Sequence, residues 1–311
     1  MNVLVSGGAG FIGRWVVKRL LTDNHAVRVL DDLSNGSRDN LAGFSQNPNL
    51  VVKVGDIKNK KTLANLFKKR YDVVIHLAAN IIVQESIDHP RKVFENDVIG
   101  TFNLLEEAKK INARFVFMST CMVYDTASSH AAISESHPTK AASPYAGAKL
   151  AAENMVQSYY HAFGLPTVIL RPFNTYGPYQ KTTGEGGVVS IFIRNELDGE
   201  VLNIYGDGTQ TRDFLYVEDC ADFVVRAAMS DRCIGEIINA GSGQDITIND
   251  LAALICKEKA RIQHVNHIHP QSEIAKLVCD RSKARRLLRW EPRTSLEEGI
   301  EKTKEFIRAN F

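Results

Sequence analysis

No apolar run in this 311-residue sequence is long enough to span a bilayer. Charge of one sign is lacking too. The formal net charge is +2, which gives no reason to expect nucleic acid or an anionic membrane as a partner. The basic run "KNKKTLANLFKKR" (58–70) is broken by apolar residues at helical spacing and reads as the solvated face of one amphipathic helix. Cysteines are few and scattered: Cys121, Cys220, Cys233, Cys256 and Cys279, odd in number and never in a C-x-x-C. That spacing speaks against a disulfide framework or a zinc site and fits a reducing compartment. No charged leader precedes "NVLVSGG", so the expected location is cytoplasmic. Internal repeats and low-complexity tracts are missing as well. What remains is an ordinary globular composition, 44% apolar and 24% charged, in a chain long enough for one large domain or two closely joined ones.

Short β-rich runs alternate with helical stretches through the first half. The runs are "NVLVS" (2–6), "AVRVLD" (26–31), "LVVKVGD" (50–56), "DVVIHLAA" (72–79), "RFVFMST" (114–120) and "PTVILRP" (166–172). Helical patterns fall at 11–21, 60–69, 91–111 and 144–163. Val/Ile-rich runs interleaved with helices predict a parallel sheet covered on both faces. After Pro172 the character changes. "FNTYGPYQKTTGEGGVV" (173–189) reads as a long functional loop. Beyond it are expected a helix, a strand pair around "VLNIYGDGTQTRDFLYV", a helix over 218–229, the run "EIINAGSG" (236–243), and helices near 248–258 and 295–309. The expected division is 1–172 and 173–311, with the chain crossing back to the first sheet at about 213–242.

"SGGAGFIG" places Gly7, Gly10 and Gly13 directly after the first strand and at the start of a helix. Glycine there permits a tight turn and lets helix N-terminal amides approach a pyrophosphate. Asp31 follows eighteen residues after Gly13, at the end of the second strand. A carboxylate in that place accepts from both ribose hydroxyls and repels a 2′-phosphate, which favours NAD over NADP. Asp56 reads equally as a partner for an adenine amino group or as a cap for the next helix. Leu77, Ala78 and Ala79 suit either a passing cofactor or close helix–strand packing.

Ser143-Pro144 is a helix start, with Ser at the N-cap and Pro at the first helical position. Tyr145 and Lys149 then share one face of that helix. An ammonium beside a phenol favours the phenolate and lowers its pKa, so Tyr145 can act as general base on a hydroxyl.

Here the chain resembles the extended short-chain dehydrogenases/reductases, in the nucleotide-sugar epimerase/dehydratase branch. The resemblance covers nearly the whole chain. It is carried by "GGAGFIG", "DDLSNG", "GDI", "HLAA", "NDVIGTFNLLEEAK", the Ser119-Thr120 strand end with "VY", "SPYAGAK", "RPFNTYGP", "IYGDGTQTRDFLYVEDCA" and "NAGSG". It implies a Rossmann-type doubly wound α/β sheet with a smaller mixed α/β C-terminal region for substrate. It implies that Tyr145 is the base, that Lys149 orients it and the nicotinamide ribose, and that Thr120 bonds the sugar hydroxyl being oxidised. Gly7, Gly10, Phe11, Ile12, Gly13, Asp31 and Asp32 are implied at the NAD site. So are Asp56, Ile57, Leu77, Ala78, Ala79, Asn96 and Ser119. Asn174 and Arg212 look like contacts to the diphosphate of a nucleotide sugar, and Val189 and Tyr205 to its base. Arg212 also reads as an ion pair with Asp213, and Tyr205 as core. Relatives dimerise through a four-helix bundle, which the helices at 91–111 and 144–163 can supply as a homodimer.

The sequence departs from the family in three places. Asp125 stands where a Gly usually follows "VY". "HIHPQSE" (267–273) lacks the family's nucleotide-binding arginine, while Glu273 matches its ribose-binding acid. His267 and His269 invite a metal reading, but without matched acids or cysteines they fit surface or substrate contacts better. Most telling, dehydratases of the family resemble one another in carrying Asp-Glu directly after the Thr, and here those positions are Cys121 and Met122. A thioether has no titratable proton. Cys121 reads as a proton shuttle or, better, as a small buried hydrophobe. The expectation is therefore a 4-epimerase, with 4,6-dehydratase or uronate decarboxylase as the alternative and a non-catalytic NAD-binding regulator more distant.

Overall fold

The computed structural model describes residues 1–127, 131–183, 187–258, 261–267, 270 and 273–310. Seven strands form the main sheet: β1 (Asn2–Ser6), β2 (Ala26–Asp31), β3 (Leu50–Val54), β4 (Val73–His76), β5 (Arg114–Met118), β6 (Thr167–Pro172) and β10 (Ile237–Ala240). Five shorter strands lie outside it: β7 (Asn174–Tyr176), β8 (Leu202–Tyr205), β9 (Thr211–Tyr216), β11 (Asp245–Thr247) and β12 (Ile262–Val265). The main order is β3-β2-β1-β4-β5-β6-β10, parallel throughout. Strand order reverses between β1 and β4, and a ligand crevice opens outside the carboxyl ends of a sheet at such a point.

Alternation within "NVLVS" explains how the sheet is sandwiched. Val3 and Val5 meet Trp15, Leu20 and Val29 on one face, while Leu4 meets Leu30, Val74 and Phe117 on the other. Helices Phe11–Thr22 and Val217–Met229 cover the first face, and Gly100–Ile111 and Pro144–Phe163 the second. Each fully buried Val or Leu contributes about 1.5–3 kcal/mol. Coverage fails at one edge: Val51 and Val52 of β3 are 46% and 38% exposed, so the expected two-sided burial stops at β2.

His76, 1% exposed at the end of β4, shares one ring nitrogen with Ser6 Oγ (2.7 Å) and the other with Thr101 Oγ1 (2.9 Å). Burial, aided by the Lys149 charge, lowers its pKa from 6.5 to about 3. The unfolded imidazole therefore takes a proton before the folded one does. This stability is complete above pH 6.5 and is lost as pH falls towards 3, an effect on the order of a few kcal/mol. Thermal midpoints measured against pH should fall through that window, and His76→Gln should flatten the fall.

Two expected helices behave differently. Pro144–Phe163 has the predicted ends: Ser143 Oγ accepts from Ala146 N (3.2 Å), Pro144 opens the helix, and Gly164 closes it at φ +67°. The stretch expected at 91–111 is not one regular helix. Pro90–Val93 and Gly100–Ile111 flank a π-helical turn, Phe94–Ile99. The wider turn buries Asp97 and leaves Phe94 50% exposed, a rotation that a 3.6-residue period does not encode.

The strands expected as a pair around 201–217 both form but do not pair with each other. β8 pairs with β12, and β9 lies between β7 and β11. The expected long loop at 173–189 is shorter too. It begins with β7, and its last two residues open the helix Val188–Asp198. These small sheets close over a separate core that includes Tyr176, Phe192, Ile204 and Leu251. The chain returns to the main sheet through helix Val217–Met229 and β10. The five cysteines are unpaired and buried. Among the described residues no helix is long and apolar enough to cross a membrane.

Candidate active site

A cavity of about 800 Å³ runs from the β1–helix turn across the carboxyl ends of the strands to the small sheets. At the first end, Gly7 has φ +74°, and a Cβ there would lie 2.6 Å from Ala78 N. One at Gly13 would lie 2.1 Å from Gly7 O. Gly10 differs: its Cβ would meet only Gly7 O, at 3.3 Å, so its bare side opens on the cavity. Helix Phe11–Thr22 begins there with no side-chain cap and no acid in its first turn, leaving its first amides for an anion. Asp31 accepts from Ala9 N and Leu33 N, both at 2.9 Å, which fixes its carboxylate on the cavity wall. Burial raises its pKa against those two bonds. Ser119 Oγ is buried without a partner, an orphaned donor on the same wall. These features fit the expected dinucleotide.

Phe11, Ile12, Asp32, Ile57, Leu77, Ala78, Ala79 and Asn96 also line the cavity. Asp56 does not. Its carboxylate accepts from Lys58 N (2.7 Å) and pairs with Lys58 Nζ at 3.5 Å, closing a turn.

At the centre lie Thr120, Tyr145 and Lys149, which are 8%, 7% and 3% exposed. Thr120 Oγ1 accepts from Met122 N at 3.2 Å, which orients the hydroxyl. Lys149 Nζ donates to Met118 O (3.0 Å) and sits 6.0 Å from the Tyr145 ring centroid. The expected lowering of the Tyr145 pKa is not found in the protein alone. Burial raises it first, the Asp97 charge adds to that, and a hydrogen bond with Thr120 opposes both. The reason is that Lys149 spends its contact on a carbonyl, while desolvation of the phenolate dominates. Burial lowers the Lys149 pKa against Asp97 and Glu153.

Cys121 and Met122 lie in a 3₁₀ turn directly after Thr120, and both reach the cavity wall. Cys121 is 2% exposed, and burial pushes its thiol up to about 12. It is a neutral group at physiological pH.

At the far end, Asn174 Nδ2 donates to Asp213 O (3.3 Å), and buried Val189 sits in the first turn of its helix. Tyr205 is 46% exposed rather than core, edge-on to His267 at 6.2 Å. Arg212 does not pair with Asp213. It pairs with Glu273 and donates to Thr211 O (2.7 Å) and Ile274 O (2.8 Å). Asp213 is fully buried, accepting from Ser242 N, Gly243 N and Cys279 N. His267 Nε2 meets Glu273 Oε2 at 2.7 Å, while His269 lies outside the described residues. No cluster of three metal-binding side chains occurs among the described residues.

Residues that sequence reasoning missed lie just behind the centre. Asp97 is one, in the π-helical turn beside Asn96. Another is the Glu153–Arg171 pair, which ties the Tyr145 helix to β6. Glu153 falls four residues after Lys149, a spacing that marked the same inward face.

The family model described as GDP-mannose 4,6 dehydratase matches residues 4–303. The chain is 36% identical to a UDP-glucose 4-epimerase of Mycolicibacterium smegmatis, over 99% of both chains. Among solved structures, Pal from Bacillus thuringiensis superposes with a TM-score of 0.98 at 61% identity, covering 99% of each chain. DesIV, a dTDP-glucose 4,6-dehydratase from Streptomyces venezuelae solved with NAD bound, superposes at 0.93 with 31% identity, covering 100% of this chain and 98% of its own. Relatives thus divide between epimerases and dehydratases; the chain belongs to the NAD-dependent nucleotide-sugar epimerase/dehydratase family of extended short-chain dehydrogenases/reductases.

Proposed function

We propose that the protein is an NAD-dependent nucleotide-sugar 4-epimerase, oxidising carbon 4 of the sugar transiently and returning hydride to the opposite face. One observation carries this reading. Among the described residues lining the cavity, the only carboxylates are Asp31, Asp32 and Glu273. Asp31 and Asp32 stand at the end of β2, and Glu273 is engaged by Arg212 and His267. None stands beside Thr120, where Cys121 and Met122 offer a neutral thiol and a thioether.

Bound NAD supplies a hydride acceptor and donor. The glycine turn and the bare amides of helix Phe11–Thr22 hold its pyrophosphate, and Asp31 its adenine ribose. Thr120 orients the sugar hydroxyl, and Tyr145 takes that hydroxyl's proton and later gives one back. Lys149 holds the nicotinamide ribose and keeps a positive charge under the phenol. Asn174 and Arg212 hold the diphosphate, and Val189 and Tyr205 flank the base. Elimination of water needs a base at carbon 5 and an acid at carbon 6. Losing each such group costs about 10²–10⁴ in rate. Turnover of the keto sugar between hydride transfers needs neither.

The test is incubation with a panel of nucleotide sugars, read by NMR and mass. An isomer of unchanged mass supports the reading. Loss of water or of carbon dioxide would transfer it to a dehydratase or a decarboxylase. Binding of NAD without turnover of any sugar would point to a regulator.

The assembly belongs to the same proposal. Phe94 (50% exposed), Ile99 (40%) and Phe163 (58%) sit on the segments expected to meet across a two-fold axis. Light scattering should give a homodimer, and a monomer at micromolar concentration would contradict that.

A further inference from the structure

Arg14 lies in the first turn of helix Phe11–Thr22 and is 7% exposed. A buried guanidinium normally takes a carboxylate partner. This one makes no ion pair among the described residues; Glu218, on the helix packed against it, pairs with Lys18 at 3.3 Å. Aromatic faces stand in for the acid. The guanidinium carbon is 3.6 Å from the ring centroid of Tyr179, 4.6 Å from that of Trp15 and 5.3 Å from that of Phe44. Arg14 Nε donates to Asn40 O (2.9 Å), and Asn40 Nδ2 donates to Ala9 O in the glycine turn (2.8 Å).

Tyr179 is the unusual partner. It lines the cavity with φ +71°, a left-handed backbone that a bulky residue adopts only when its surroundings hold it there. Its segment is tied to the cofactor side at three points. Trp15 Nε1 donates to Pro178 O (3.2 Å), Arg14 covers the Tyr179 ring, and Lys181 Nζ donates to Asn35 Oδ1 (3.0 Å). The same four residues are tied to the other side as well. Tyr179 packs on Phe306 with ring centroids 4.3 Å apart, Gln180 Nε2 donates to Thr175 O (3.2 Å), and Ser190 Oγ donates to Gln180 Oε1 (2.7 Å).

We propose that Arg14 is a positioning residue for the nucleotide sugar: from the helix that opens at the glycine turn, it holds Tyr179 in the cavity wall and so shapes the sugar-nucleotide side. The inference rests on the nucleotide-sugar reading of this cavity. Its consequence is that Arg14, which touches neither the reacting atoms nor the cavity wall, sets affinity rather than chemistry.

The experiment uses NAD-loaded protein. Calorimetry with UDP, dTDP, GDP and CDP reads affinity, and NMR reads turnover of the accepted nucleotide sugar. For the diphosphate that binds, Arg14→Met should raise the dissociation constant about tenfold, as expected when a buried cation–π contact is lost. KM should rise alike, with NAD content unchanged and kcat within about twofold. Tyr179→Gly accepts the left-handed backbone and removes only the ring, so it should give the same rise and serves if Arg14→Met does not fold. The double variant should be no worse than either single one. Arg14→Lys, which keeps a cation at the rings, should recover part of the affinity. An unchanged dissociation constant with a lowered unfolding midpoint would show a merely structural role and overturn the proposal. Additive losses in the double variant, or loss of NAD from Arg14→Met, would overturn it too. Binding of none of the four diphosphates would instead remove the nucleotide-sugar reading beneath it.

Discussion

Tyr145→Phe is expected to lower turnover by a factor of about 10²–10⁴ while leaving NAD bound. The substitution removes one oxygen from a side chain that is 7% exposed and keeps the ring that fills the site. Among the described residues around Thr120, none replaces that oxygen as a base. Thr120 is a hydroxyl, Cys121 carries its proton up to about pH 12, and Lys149 donates to Met118 O. Cofactor binding should survive, because the glycine turn is unchanged and the Asp31 carboxylate is fixed by Ala9 N and Leu33 N rather than by the phenol. Bound NAD can be followed by absorbance after denaturation, and turnover by NMR. Loss of NAD together with activity would make Tyr145 structural; retained activity would make another group the base.

Arg171→Met should destabilise the fold by about 3–5 kcal/mol. Arg171 and Glu153 have side chains only 4% and 3% exposed, and they bond to each other through two guanidinium nitrogens. The guanidinium also lies over the Tyr124 ring, 4.7 Å from its centroid. Removing the cation strands Glu153 as a buried charge one turn beyond Lys149. Replacing both partners, as Arg171→Met with Glu153→Leu, should recover most of the loss, because two apolar groups of similar volume need no desolvated charges. Urea unfolding of the single and double variants measures both. A loss below about 1 kcal/mol in the single variant would mean that Glu153 is neutralised at little cost.

The sheet was legible because burial on two faces writes itself as Val/Ile runs, and the cap at Ser143-Pro144 because it is local chemistry. That Tyr145 and Lys149 share one helix face was legible from their spacing, whereas Thr120 entered through the family resemblance; all three line the cavity. What stayed hidden depends on contacts across the chain. β8 and β9 looked like a pair, but their partners, β12, β7 and β11, are set by how the small core around Phe192 and Leu251 closes. The π-helical turn hides Asp97, because periodicity assumes a constant pitch. Arg212 faced an adjacent Asp213 in sequence, yet a strand turns neighbours to opposite sides, and its partner is Glu273, sixty-one residues away. The phenol's titration was misjudged for a related reason. Spacing places Lys149 near Tyr145, but the depth of burial, which decides the sign, is a property of the whole site.

The most direct measurement follows a deuterium placed on carbon 4 of an accepted nucleotide sugar. Oxidation followed by return to the same carbon predicts a stereoisomer of unchanged mass with the label still on carbon 4. A product lighter by one water, with the label moved to carbon 6, would contradict the account.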